Sequence, residues 1–190
     1  MQAPGKGRWA WLAALFVSSF AFSQGERLSQ CAACHGPDGN SVTQGVPSLA
    51  GQPQLFLENQ MILFREELRR SPVMTPILAG MKDAEIVALA EHFSKLKARP
   101  VAQSPSDREV ARKGEALAKK LRCGVCHTAN FQGQKQMPRL AGQREDYLVS
   151  EMLAYRDGKR SGGDTIMAAA LYGVKDEEIR ALAHYLSRLP

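Results

Sequence analysis

The sequence predicts an all-α protein of two tandem domains, each of about three helices. Three observations carry that prediction. The run Cys123-Gly124-Val125-Cys126-His127 occurs once before, as Cys31-Ala32-Ala33-Cys34-His35. Longer blocks around the two runs recur at an offset of 91 to 93 residues. Apolar residues in both copies follow helical spacing, and no stretch alternates convincingly as a strand does.

The paired motif names the prosthetic group. Cys-x-x-Cys-His is the attachment signature of a c-type haem. Residues three and four apart share one helix face, so Cys31 and Cys34 can both reach one porphyrin edge as thioethers while His35 turns its imidazole onto the iron. Cys123, Cys126 and His127 repeat the set, which predicts two covalently bound haem c groups. A zinc ribbon would want its two Cys pairs roughly 15–20 residues apart, whereas 88 residues separate Cys34 from Cys123. The motifs use all four cysteines, so no disulfide framework remains.

Residues 1–23 read as a secretory signal. Lys6 and Arg8 supply the positive start, and Trp9 to Phe22 is a 14-residue run, apolar apart from Ser18 and Ser19. Small residues at Ala21 and Ser23 predict cleavage before Gln24 and export to the periplasm. The alternative is an uncleaved anchor, but the run falls short of the ~20 apolar residues a spanning helix needs. Loss of Lys6 and Arg8 leaves 23 basic and 19 acidic residues, a mildly basic mature chain with no nucleic-acid motif.

The mature chain is one unit written twice. Val46-Pro47-Ser48-Leu49-Ala50-Gly51-Gln52 recurs as Met137-Pro138-Arg139-Leu140-Ala141-Gly142-Gln143. Leu57, Met61, Phe64 and Arg65 recur as Leu148, Met152, Tyr155 and Arg156, and Lys82-Asp83-Ala84-Glu85-Ile86 as Lys175-Asp176-Glu177-Glu178-Ile179. Residues 99–105, with Pro100 and Pro105, read as a linker between domain one at 24–98 and domain two at 106–190. Each half is marginal for a lone core, and a buried haem would supply the missing apolar mass.

The helices follow in order. The first carries the haem motif near its end: short in domain one, where only Gln24 to Gln30 precede Cys31, and spanning Arg108 to Cys126 in domain two. The second follows the Ala-Gly-Gln turn, with Leu57, Met61, Phe64 and Leu68 as an amphipathic stripe that Leu148, Met152 and Tyr155 repeat. The third spans about Asp83 to Leu96 and Asp176 to Leu189, with acidic residues favouring its N-terminus. Its buried faces are Ile86, Leu89, Phe93 and Leu96, and Ile179, Leu182, Leu186 and Leu189.

The sixth iron position decides between electron transfer and catalysis. Met74 and Met167 match at offset 93 and lie in segments without helical periodicity, where a loop can lay a thioether over the haem. Met61 and Met152 also repeat, but mid-stripe, as core residues would; Met81 and Met137 have no methionine counterpart. His92 and His184 are not equivalent and read as partly exposed helix residues. The Pro47 and Pro138 carbonyls, 12 and 11 residues after His35 and His127, can accept an imidazole Nδ1–H and raise its basicity.

On both motifs, Cys-His-Gly-Pro-Asp-Gly-Asn at 34–40, the Pro-x-Leu-Ala-Gly-Gln blocks, Tyr155-Arg156-Asp157-Gly158-Lys159-Arg160 and the methionine segments, residues 27–190 resemble the cytochrome c4 family: periplasmic di-haem proteins of two class I cytochrome c domains. The resemblance implies His35 and Met74 on one iron, His127 and Met167 on the other, haems facing each other across the domains, and electron delivery to a terminal oxidase, often at the membrane surface. The chain departs from the family's pattern at Lys82 and Lys175, where a helix-capping serine is usual. The expected function is a monomeric single-electron carrier rather than an enzyme. Its expected partners are redox proteins: a cytochrome bc-type donor and an oxidase or dehydrogenase. The alternatives are the haem subunit of a dehydrogenase complex and a di-haem peroxidase. Lys119-Lys120-Leu121-Arg122 and Lys159-Arg160 are candidate basic rims for docking an acidic partner.

Overall fold

The computed structural model describes residues 14–101 and 104–190, with side chains from Gly25 onward. The first half holds α1 (Ala14–His35), α2 (Gln54–Arg65), α3 (Met74–Leu78) and α4 (Asp83–Lys95). The second holds α5 (Arg108–Lys120), α6 (Gly124–His127), α7 (Glu145–Arg156), α8 (Thr165–Ala170) and α9 (Asp176–Leu186). Among the described residues the extended pairing is a single bridge between Gln134 and Met137. The all-α expectation therefore holds, in two halves of similar plan.

The halves differ from expectation in three ways. First, the helix expected over Arg108 to Cys126 stops at Lys120 and restarts as α6. Arg122 turns left-handed at φ 56°. The Arg122 N–H then bonds the Lys119 carbonyl at 3.1 Å and the Cys123 N–H bonds the Ala118 carbonyl at 3.0 Å. That is a Schellman stop, which glycine usually marks; an arginine there hides it from a sequence reading. Second, the methionine segments expected as loops contain short helices. Ser71 Oγ accepts the N–H groups of Val73 and Met74 ahead of α3, and Asp164 accepts that of Ile166 ahead of α8. Third, the described part of α1, Ala14–His35, is longer than the short first helix expected of domain one, where only Gln24 to Gln30 precede Cys31. Lys6, Arg8 and residues 9–13 of the expected signal lie outside the described residues. Among the described residues no helix is long and apolar enough to cross a membrane.

The third helix of each half starts where expected but stops short, at Lys95 and Leu186, so Leu96 and Leu189 of the expected buried faces lie past its end and are only half-buried. Ile86, Leu89 and Phe93 are buried on α4, and Ile179, Leu182 and Leu186 on α9. Lysine at the N-cap has no acceptor to offer the first turn. The N3 glutamates act instead: Glu85 accepts the Lys82 N–H at 3.0 Å and Glu178 the Lys175 N–H at 2.9 Å.

The cores are not alike. Domain two has one contiguous cluster, from Ala118 and Phe131 through Leu148, Met152 and Leu171 to Leu186. In domain one, Leu78, Met81, Ile86 and Leu89 form one cluster, and Leu57, Ala90 and Phe93 another, with Leu28, Cys31 and Met61 packed against both. In domain two α5 packs along α9 and crosses it at Gly114. A Cβ at that position would run into the Ala181 carbonyl and the Tyr185 side chain.

Candidate functional site

Each haem motif is built to present one imidazole nitrogen. His35 and His127 are buried. Nδ1 of His35 is 2.8 Å from the Pro47 carbonyl, and Nδ1 of His127 is 2.9 Å from that of Pro138. A carbonyl only accepts, so Nδ1 carries the hydrogen and Nε2 keeps its lone pair for a metal. Burial pushes both imidazoles below the usual histidine range, against an opposing pull from the proline carbonyls. That direction favours the neutral ring that ligation requires. None of the four cysteines is in a disulfide; Cys34 and Cys126 are exposed, Cys31 and Cys123 half-buried. Burial holds the thiols of Cys31 and Cys123 above the usual cysteine range. Two unbridged cysteines beside an oriented imidazole fit covalent haem attachment, and the expected use of the two proline carbonyls is met.

The methionines separate by environment. Met74 opens α3 and packs against the Leu78–Met81–Ile86–Leu89 cluster that also receives Cys31. Met167 lies on α8 and packs against the domain-two core together with Cys123. Met81 and Met152 are themselves core residues, 3% and 6% exposed. Met61 is half-buried against both domain-one clusters, and Met137 forms the bridge with Gln134.

His92 stacks edge-on to Phe93. His184 is buried rather than partly exposed. Its Nε2 accepts the Asp107 N–H at 3.1 Å, which pins the start of α5 to α9.

Two arginines brace the methionine segments, a role the repeat signalled only by their recurrence. Arg65 donates to the Met81 carbonyl at 2.9 Å and to Asp83 at 2.6 Å. Arg156 does the same to the Val174 carbonyl at 2.9 Å and to Asp176 at 2.6 Å. Each guanidinium thus ties the end of the second helix to the start of the last, across the segment that carries the methionine.

The domains meet along a pseudo-two-fold axis. Gln52 Nε2 donates to the Arg139 carbonyl at 2.9 Å, and Gln52 Oε1 accepts the Arg139 N–H at 3.0 Å. Gln143, its repeat equivalent, does the same to Ser48, at 2.8 Å both ways. All four residues are buried. Farther out, Arg69 lies over Phe64 and Arg160 over Tyr155. Both reach Gln60 and Glu151, so two nearly buried cations share one carboxylate. Arg160 is therefore an interface residue and not part of an exposed basic rim, and Lys119 is paired with Glu115.

A helical chain with two such haem motifs, each with its imidazole held by a proline carbonyl, has the form of a two-domain c-type cytochrome. The family model described as cytochrome c matches residues 22–97 and again 111–190. Cytochrome c4 of Thiocapsa roseopersicina is 33% identical, over 84% of this chain and 86% of its own. A thiosulfate dehydrogenase electron acceptor of Thiomonas intermedia is 32% identical, over 95% and 89%. The crystal structure of reduced recombinant cytochrome c4 from Pseudomonas stutzeri superposes with a TM-score of 0.79 at 30% identity, covering 90% of this chain and 98% of that one. Thiosulfate dehydrogenase from Marichromatium purpuratum gives 0.75 at 29%, covering 89% of this chain and 40% of that one. The chain belongs to the cytochrome c family and, within it, to the di-haem cytochrome c4 group. It is an electron carrier rather than an enzyme, with two covalently bound haem c groups.

Proposed function

We propose that this chain is a periplasmic carrier relaying single electrons between respiratory redox partners, from a cytochrome bc-type donor to a terminal oxidase. In this reading residues 1–23 are removed, and domains 24–98 and 106–190, joined by 99–105, each hold one haem. Cys31 and Cys34 bind the first haem and Cys123 and Cys126 the second, with His35 and Met74, and His127 and Met167, as axial ligands. His/Met ligation raises the potential over other axial sets and leaves no open position for substrate. The observation that carries the reading is the twofold occurrence of a buried histidine whose Nδ1–H is spent on a proline carbonyl. The packing of Met74 and Met167 against the clusters that receive Cys31 and Cys123 supports the sixth ligands.

The test is carbon monoxide added to the dithionite-reduced holoprotein. An unchanged visible spectrum is the expected result. Rapid binding at either haem would remove that domain's methionine and revive a peroxidase-type reading.

A second reading, as the electron-accepting haem protein of a dehydrogenase, is favoured by the two relatives named thiosulfate dehydrogenase electron acceptors. Stopped-flow reduction of the oxidised protein separates the two. Fast reduction by a thiosulfate dehydrogenase with thiosulfate would favour the second, and fast oxidation by terminal-oxidase membranes the first.

A further inference from the structure

The glutamines that join the domains also touch the electronic surroundings of the irons. The Pro47 carbonyl that accepts the His35 Nδ1–H belongs to the same peptide group as the Ser48 N–H, and Gln143 Oε1 accepts that N–H at 2.8 Å. In the other direction, the Pro138 carbonyl that accepts from His127 shares its peptide with the Arg139 N–H, which Gln52 Oε1 accepts at 3.0 Å. Each proximal histidine is therefore the end of a two-bond chain that begins on the opposite domain. Hydrogen bonds in such a chain polarise one another, and low local dielectric strengthens the effect. Drawing on the N–H makes the carbonyl a better acceptor, which pulls harder on the imidazole N–H and makes Nε2 a stronger donor to iron.

We infer that Gln52 and Gln143 are crossed positioning residues. Gln143, in domain two, tunes the potential of the domain-one haem, and Gln52, in domain one, tunes that of the domain-two haem. Both lower it, because a more basic imidazole favours the ferric state. Each haem thereby senses whether the other domain is docked, so a partner that loosens the interface raises both potentials at once. The inference rests on His35 and His127 as proximal ligands; it does not need Met74 or Met167 as the sixth.

The four residues are buried, so leucine, of similar size, is the test substitution. Gln143 Oε1 also accepts the Arg144 N–H at 2.9 Å, and Q143L leaves that group unpaired as well. Holoprotein carrying Q143L or Q52L is titrated potentiometrically, with the haems assigned by nuclear magnetic resonance. Q143L should raise the reduced-to-oxidised ratio of the domain-one haem at fixed potential by about threefold, or ~30 mV at 59 mV per decade, and leave the other unmoved. Q52L should do the reverse. In the reduced state the His35 Nδ1–H resonance should move upfield in Q143L, and that of His127 in Q52L. In a variant whose domains stay docked by small-angle scattering, a shift confined to the haem of the mutated domain, an equal shift of both, or none would overturn the inference. If a leucine variant fails to fold, Gln→Met at the same position, unbranched and of like length, is read by the same criteria. The reduced wild-type protein supplies the independent check on ligation. Ring-current-shifted resonances of His35 and His127 establish them as axial, and their absence would defeat the ligand assignment before any variant is compared.

Discussion

After its haem motif, domain one turns on Gly36 and Gly39, at φ 87° and 72°; domain two makes the same turn with Thr128 and Phe131, at 70° and 58°. At the end of the second helix the exchange runs the other way. Domain two ends α7 on Gly158 at φ 64°, and domain one ends α2 on Glu67 at φ 56°. The backbone path is repeated while the residue best suited to it is not. Thr128 is the costliest of these three non-glycine choices: with ψ at 159° it occupies a region that is essentially glycine's own, at a cost of about 1–3 kcal/mol. Part of that is recovered through the Thr128 hydroxyl, which accepts the Gln132 N–H.

The leading helices differ for a clearer reason. Gly114 lets α5 cross α9 against the Ala181 carbonyl. At the offset of 92 that relates the two haem motifs, the matching residue in domain one is Phe22, inside the expected signal. Among the described side chains, domain two has one cluster that includes Ala118 of α5, whereas domain one has two, linked by Leu28 and Cys31 of α1 and by Met61. Domain one should lean more on its haem and on its neighbour.

Experiments can break or sharpen this contrast, and the largest effect is expected at the irons. Met74→Ala and Met167→Ala should each let carbon monoxide bind half of the reduced haem, with the affected domain identified by resonance assignment. Binding by neither variant would return the choice to Met61 and its rivals.

Next comes the shared carboxylate. Glu151→Gln makes the outer interface symmetric but leaves Arg69 and Arg160 without a counter-charge, at a cost of about 3 kcal/mol. Thermal unfolding of the two haem environments should then be farther apart than in the wild type, with domain one melting first. Gln60→Glu, which gives each guanidinium its own carboxylate, should hold them together.

Gly114→Val should destabilise domain two by about 1–3 kcal/mol through overpacking while leaving the domain-one haem spectrum unaltered. An equal effect on both domains would mean that they fold as one unit.

A smaller gain is expected from Thr128→Gly. Relief of the backbone, less the lost hydroxyl bond, leaves domain two about 1 kcal/mol more stable in a denaturant titration.

The smallest effect is on docking in acid. Asp146 accepts the Gly45 N–H across the interface at 3.0 Å and pairs with Arg144. Burial raises its carboxyl, but the hydrogen bonds from Arg144, Gly45 and Tyr147 outweigh that and hold it below the ordinary aspartate range. A depressed folded-state pKa adds stability that is complete above the unfolded value near ~3.9 and is lost as pH falls through the folded one. Domain coupling, read by small-angle scattering, should therefore hold from neutral pH to about 4 and loosen only below it.

The sequence by itself determined the haem count, the two-domain helical plan and the candidate histidines. Their signals are local: a five-residue motif and a helical spacing leave a mark in any single copy, and the repeat doubles it. The Schellman stop at Arg122 and the helices around Met74 and Met167 were not legible, because arginine replaces the usual glycine and the helices are too short to show a period. Tertiary structure alone decided what the repeated glutamines do. Gln52 and Gln143 were visible as recurring residues, but their partners lie 87 and 95 positions away in the chain. A side-chain amide carries no periodicity that points to such a partner. Only the pseudo-two-fold docking of one copy on the other brings each glutamine to the peptide behind the opposite domain's histidine.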